Sequence, residues 1–172
     1  IGNAGPGSPS HITAVYFQTV VGKNFQLVPY RGTPQVLQDL IAGHIDLVFD
    51  QASSSLPQVR GGQLKTYGVT AKARLASAPE IPTIDESGLP GFYASIWFGL
   101  WAPKDTPKAV IAKLNSAVVH ALADPSVRTR LTGLGADIPP REQQTPEALG
   151  AFQRAEIKKW WPLIKATGIK AE

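Results

Sequence analysis

The stretch 25-FQLVPYRGTPQVLQDLIAGHIDLVFD-50 decides the fold. It opens on a short apolar run, Phe25-Gln26-Leu27-Val28, which reads as a strand bounded by the turn residues that follow. Thr33-Pro34 then begins a helical pattern. A hydroxyl residue there can cap the free N–H groups of the opening turn, and the proline behind it lacks the N–H that would be orphaned anyway. The helix pattern stops at Gly43, and Ile45-Asp46-Leu47-Val48-Phe49 forms a second strand-like run ending on Asp50. Two strands joined through a helix are expected to lie parallel, with the helix covering one face.

The same helix-starting device recurs along the chain. Ser8-Pro9, Thr106-Pro107, Asp124-Pro125 and Thr145-Pro146 each open a helical pattern. Helices are expected over 9–21, 34–42, 55–60, 107–123, 125–132 and 146–167, with glycine just past the end of all but 107–123. Further strands are expected at Leu64–Val69 and, longer and rich in aromatics, at Tyr93–Trp101. Strand and helix alternate to about residue 70, and from about 105 the chain is nearly all helix. The proline- and glycine-punctuated residues 77–91 read as a crossing between lobes. The fold class is α/β, with a parallel-rich mixed sheet and covering helices. In the last helix Ala148, Leu149, Phe152, Ile157 and Ile164 mark an apolar side, where Trp160 and Trp161 are expected to pack, and Pro162 to kink it.

Composition narrows the function classes. The chain has 172 residues, 43% hydrophobic and 17% charged, so a packed core is expected. No window approaches the roughly 18–20 apolar residues of a membrane span. The 17 basic and 13 acidic residues are spread along the chain and give a net charge of +4. The densest basic stretch, Lys158-Lys159 beside Trp160-Trp161, reads as a solvated helix face rather than a nucleic-acid footprint, so no nucleic-acid partner is expected. A mildly basic surface suits a small anion. With no cysteine there is no thiolate nucleophile or zinc–thiolate site, and no cofactor is implied. The chain begins at Ile1 rather than methionine, so an upstream segment, a signal peptide alone or with further protein, is expected to have been removed.

Two loops carry the candidate chemistry. Gly5, Gly7 and Ser8 precede the first helix, where unpaired N–H groups and a partial positive charge could receive a carboxylate or phosphate. A capped turn would explain the same residues. Tyr30, Gly32 and Thr33 sit equivalently before the next helix. In an open α/β sheet such loops gather beyond the carboxyl ends of the strands. Asp50, with Gln51 and Ser53 to Ser55, follows the second apolar strand. It could accept from a ligand hydroxyl or amine, but capping the following helix is the simpler role. Catalysis is not expected. Ser8 and His11 lie one helical turn apart at a capped start, no nucleophile elbow is present, and His44 and His120 lack partners at metal-ligand spacing.

Taken in order, Gly5-Pro6-Gly7-Ser8-Pro9-Ser10-His11, Val28-Pro29-Tyr30-Arg31-Gly32-Thr33, Ile45–Asp50, Gly88-Leu89-Pro90-Gly91, Trp97-Phe98-Gly99-Leu100 and Ala102-Pro103 resemble the tripartite tricarboxylate transporter receptors, also called the Bug family. The match in order and approximate spacing runs across nearly all of the chain. The resemblance implies a two-lobed periplasmic binding protein of type II-like architecture. It would close on a mono-, di- or tricarboxylate or similar organic acid and hand it to membrane transporter subunits. It carries ligand roles onto Gly5, Gly7, Ser8, Tyr30, Gly32 and Thr33, and a cleft-side position onto Asp50. His11 would shape its loop rather than touch ligand.

Members of that family are much longer at the N-terminus. The resemblance therefore implies that residues 1–93 correspond to the second, ligand-binding lobe, and 94–172 to the crossover strand and C-terminal helices that return to the first lobe, the rest of which is expected to be absent from this sequence. The helices at 107–132 and 146–167 are then expected to expose apolar surface, to be covered by self-association or by another chain. A rival with similar architecture is the ligand-sensing effector domain of a LysR-type transcriptional regulator. A second is a hydrolase using Ser8.

Overall fold

A computed structural model describes residues 1–169. It divides into two compact units, Ile1–Ile96 joined by the chain from Pro162 on, and Trp97–Trp161.

The first unit is built on a small parallel ladder. Strand β1 (Gly2–Asn3) is central. After helix α1 (Pro9–Val21), strand β2 (Val28–Pro29) pairs with β1 in the register Gly2 to Val28 and Asn3 to Pro29. On the other side of β1, Val48 bridges Gly2, again in parallel. Of the run 25–28 expected from sequence, only Val28 lies in the ladder. The Ile1 ammonium donates to Gln26 O at 2.7 Å, and Val28 N donates to Ile1 O at 3.0 Å. Its partner, β1, has no sequence signature, because two residues cannot display an alternation. Of 45–49 only Val48 forms a bridge, and of 64–69 only Val69, to Thr83. Residues 93–101 form no strand. These segments have strand-like composition, but a ladder requires a hydrogen-bonding neighbour at the right spacing.

Gly2 shows why α2 (Thr33–Ile41) packs so closely on β1. A Cβ on Gly2 would lie 2.8 Å from Val36 Cγ1, inside contact distance. Buried Val36, Leu37 and Ile45 close that side of the sheet, with Ala14 and Val15 of α1 also buried. An aromatic group joins α1 to later segments. Phe92 is 1% exposed and stacks on Tyr16 with centroids 4.8 Å apart, while Phe17 and Phe49 each approach it at 5.8 Å. A second small core forms where Leu56 of α3 (Ala52–Arg60) meets Leu75, Ala78 and Ile81. Residues 77–91, expected as a crossing between lobes, instead pack into this unit, with Ala78 fully buried. Arg74 clasps Glu86 through Nε and Nη2 at 3.0–3.1 Å, and Glu86 exchanges bonds with Thr83 as a reciprocal cap.

The second unit contains α4 (Lys108–Ala123), α5 (Pro125–Gly133) and the start of α6 (Pro146–Thr167). Pro162 lies inside α6 at the point where the chain passes from one unit to the other. Within the second unit Trp97 packs edge-on against Phe152 at 5.1 Å, and Asn115 Nδ2 ties α4 to Gln144 O at 2.9 Å. Its core is thin. Val119 is buried, whereas Leu114, Phe152, Ile157 and Trp161 are all exposed. This matches the expected apolar surface on these helices.

The helix starts fall close to where the capping signals put them. Ser8 Oγ accepts from His11 N, Asp124 from Ser126 N and Val127 N, and Thr145 Oγ1 from Ala148 N. Thr33 and Thr106 do not cap. Gly32 occupies the cap position of α2, so Thr33 is already helical, and Pro107 occupies that of α4. Gly22, at φ 63°, closes α1 in the left-handed conformation and donates its N–H to Gln18 O.

Candidate functional site

Because Val28, Gly2 and Val48 run parallel and in register, the carboxyl ends of three chain segments meet at one edge of the ladder. That edge receives the 4–8 loop, the 30–33 loop and Asp50. Ala4, Gly5 and Pro6 face Pro29, Tyr30, Arg31 and Gln35 across an open pocket of about 670 Å³. Of the seven residues expected to bind ligand, Gly5 and Tyr30 line this pocket. Gly7, Ser8, Gly32, Thr33 and Asp50 do not line it.

The first loop is closed on itself. Ala4 N donates to Ser10 Oγ at 2.9 Å, Gly5 N to Asn3 Oδ1 at 3.1 Å, Gly7 N to His11 Nδ1 at 3.1 Å and Ser8 N to Gly5 O at 3.1 Å. The N–H groups of Ala4, Gly5, Gly7 and Ser8 are therefore engaged within the loop. Buried Asn3, 1% exposed, also donates from Nδ2 to Val28 O, so one side chain joins the strand pair to the loop. Nothing in the sequence marks it beyond an asparagine ahead of Gly-Pro-Gly. His11 shapes the loop as expected. Its Nδ1 must be unprotonated to accept from Gly7, and burial lowers its pKa, which favours that state.

The second loop is open. Helix α2 begins with no side-chain cap and with Pro34 in its first turn, so no side chain caps its opening N–H groups. Arg31 is exposed on the pocket wall and Gln35 lies one turn into the helix. Tyr30 is held at both ends. Its N–H donates to Asn3 O at 2.9 Å, and its hydroxyl donates to Asp39 Oδ2 at 2.7 Å. Asp39 Oδ1 lies 3.3 Å from His44 Nδ1. Gly5 completes the meeting of the loops. At φ 104° it adopts a backbone that side chains avoid, and a Cβ there would press on Tyr30 O at 3.3 Å.

Asp50 does not cap α3. Gln51 holds the cap position without a side-chain bond, and Asp50 Oδ2 is buried with no partner. Burial pushes its carboxyl up, opposed by the Gln51 N–H and the Ser55 hydroxyl. No nucleophile is assembled at Ser8. Its Oγ accepts from His11 N, while the His11 ring faces the Gly7 amide instead. Among the described residues no three His, Asp or Glu groups converge as metal ligands.

Comparison with known proteins agrees with this architecture. Residues 1–169 match the tripartite tricarboxylate transporter family receptor. A curated relative, the UPF0065 protein in the TAR-I ttuE-ttuC' intergenic region of Agrobacterium vitis, is 39% identical over 167 residues, covering 97% of this chain and 48% of that protein. The solved structure of the periplasmic binding protein BugD aligns with a TM-score of 0.85 at 37% identity, over 99% of this chain and 57% of that one. MatC from Rhodopseudomonas palustris, with bound malate, aligns with the same score at 39% identity, over 95% of this chain and 55% of its own. The chain spans about half the length of most of the curated relatives it matches. The α/β fold is that of a periplasmic binding protein.

Proposed function

The chain belongs to the tripartite tricarboxylate transporter receptor family, and from that premise we propose that it forms one side of a clamp for a small organic carboxylate. Residues 1–93 are the ligand-binding lobe, and 94–172 return to a companion lobe. The acid is captured in the periplasm and handed to membrane transporter subunits. No helix among the described residues is long and apolar enough to cross a membrane. The family and the structural neighbours are binding proteins, and a binding role rather than an enzymatic one fits a Ser8 hydroxyl turned toward its own helix.

One observation carries the reading. Helix α2 presents an uncapped start at the carboxyl edge of a parallel ladder, beside the exposed Arg31 and across a pocket from the Gly5 loop. A carboxylate there would accept from the opening N–H groups and sit in the field of a cation. Gly7, Ser8 and Gly32 support the two loop shapes, Thr33 adds a hydroxyl at the helix start, and Asp50 accepts from a ligand hydroxyl or amine. The neighbour with bound malate makes malate the first acid to try. In the full-length protein, titration calorimetry with malate should show Thr33→Ala weakening binding by about 1–2 kcal/mol. Unchanged affinity would remove the α2 start from the site. Failure of the unmodified protein to take up any acid of a mono-, di- and tricarboxylate panel would end the carboxylate reading itself.

A further inference from the structure

We propose that Asp39 is a positioning residue for this pocket. Through its bond to the Tyr30 hydroxyl it fixes the loop that carries Arg31 and Thr33, and it makes Tyr30 a wall of the site rather than a donor to the ligand. The inference rests on the carboxylate reading above for its functional half only.

The geometry is that of a staple across the helix start. Tyr30 immediately precedes the loop, and Asp39 lies two turns into α2. The 2.7 Å bond between them encloses residues 31–38, which include the uncapped helix start. At its other end Tyr30 is anchored by its N–H on Asn3 O of the central strand. The loop is therefore tied to the sheet on one side and to its own helix on the other. A phenol has one proton to donate, and here Asp39 holds it. An ionised carboxylate group has no proton to offer in return, so the Tyr30 oxygen has no bond to make with that group. What Tyr30 brings to the pocket is its ring and a fixed backbone.

Both partners carry the imprint of the bond. Tyr30 is raised above its ordinary pKa chiefly by donating to Asp39, and Asp39 is lowered chiefly by accepting from Tyr30, with His44 adding to the effect. His44 lies against the second Asp39 oxygen, so both oxygens of the carboxylate are engaged and its orientation is set. Asp39 does not itself line the pocket, which separates a positioning role from direct contact.

The test uses the full-length protein labelled with 3-fluorotyrosine, with Tyr30→Phe identifying the Tyr30 fluorine signal. Asp39→Ala should move that signal and bring its alkaline titration down toward the ordinary tyrosine range. Asp39→Asn keeps an acceptor of the same shape, so it should leave the Tyr30 signal near its original position. Malate affinity should fall about five- to tenfold in Asp39→Ala and stay within about twofold in Asp39→Asn. Adding Tyr30→Phe to Asp39→Ala should weaken binding no further, because both act through one bond. An unmoved Tyr30 signal in Asp39→Ala would overturn the staple. Losses that add in the double variant would overturn the wall role, since Tyr30 would then bond the ligand itself. If the unmodified protein binds no carboxylate, the functional reading falls, while the fluorine signal still decides whether Asp39 holds Tyr30.

Discussion

Replacing Asp50 by asparagine should make the protein more stable at neutral pH, and the gain should disappear in acid. Asp50 Oδ2 is buried without a partner, and burial pushes the carboxyl up against the smaller opposing pull of the Gln51 N–H and the Ser55 hydroxyl. An uncompensated buried polar atom costs about 1–3 kcal/mol in proteins. The Asp50 carboxyl keeps part of its solvent shell and two donors nearby, so screening reduces the figure, and we expect Asp50→Asn to gain about 0.5–1 kcal/mol.

The sign with pH follows from a raised folded-state pKa. Above it the native state holds a charge it disfavours. As pH falls through it toward the unfolded value, the proton returns and the penalty vanishes. Urea unfolding of the full-length protein, followed by far-UV circular dichroism, should show the variant ahead at about pH 7 and level with the parent at about pH 4. A variant less stable at neutral pH, or an equal gain at both, would refute the reasoning. The same substitution tests the ligand role. Malate carries a hydroxyl that succinate lacks, and a neutral acceptor holds it less well than a carboxylate. The preference for malate should therefore narrow by about fivefold.

Two further expectations concern the frame around the site. Phe92→Ala removes a side chain that is 1% exposed and packed on Tyr16, Phe17 and Phe49, and should destabilise the first unit by about 3–5 kcal/mol in urea titration; a loss below about 1 kcal/mol would mean the aromatic group does not hold residue 92 to α1. Glu86 is lowered to about 2, chiefly by Arg74, so its contribution is complete above the ordinary value of 4.5 and is lost as pH falls toward 2. Carbon-detected NMR titration of Arg74→Ala should move the Glu86 midpoint back up toward 4.5, and an unmoved midpoint would assign the shift to Thr83 instead.

The helices were legible in the sequence because their stabilising contacts are local. A capping residue, a proline and a closing glycine lie within a few positions of the bonds they control. Pro9–Val21 has the boundaries that Ser8-Pro9 and Gly22 announce, and Asp124 caps the helix it precedes. The parallel sense of the sheet followed from the same regularity, since a helix lies between Val28 and Val48. The two anion-loop segments were legible as sequences of glycine, hydroxyl and proline ahead of helices.

Tertiary structure decided the rest, because strand pairing, burial and loop closure join residues that are distant along the chain. No local pattern distinguishes Gly2–Asn3 as the central strand, or the run at 64–69 as nearly unpaired. The two loops look alike in sequence, yet Asn3, Ser10 and His11 engage the N–H groups of the first, whereas the start of α2 remains uncapped. Asp50 has the composition of a cap and the position of an orphaned acid. The sequence alone determined that two such loops exist; only the folded chain, by spending the donors of one and stapling the other through Tyr30 and Asp39, decided which of them stands open.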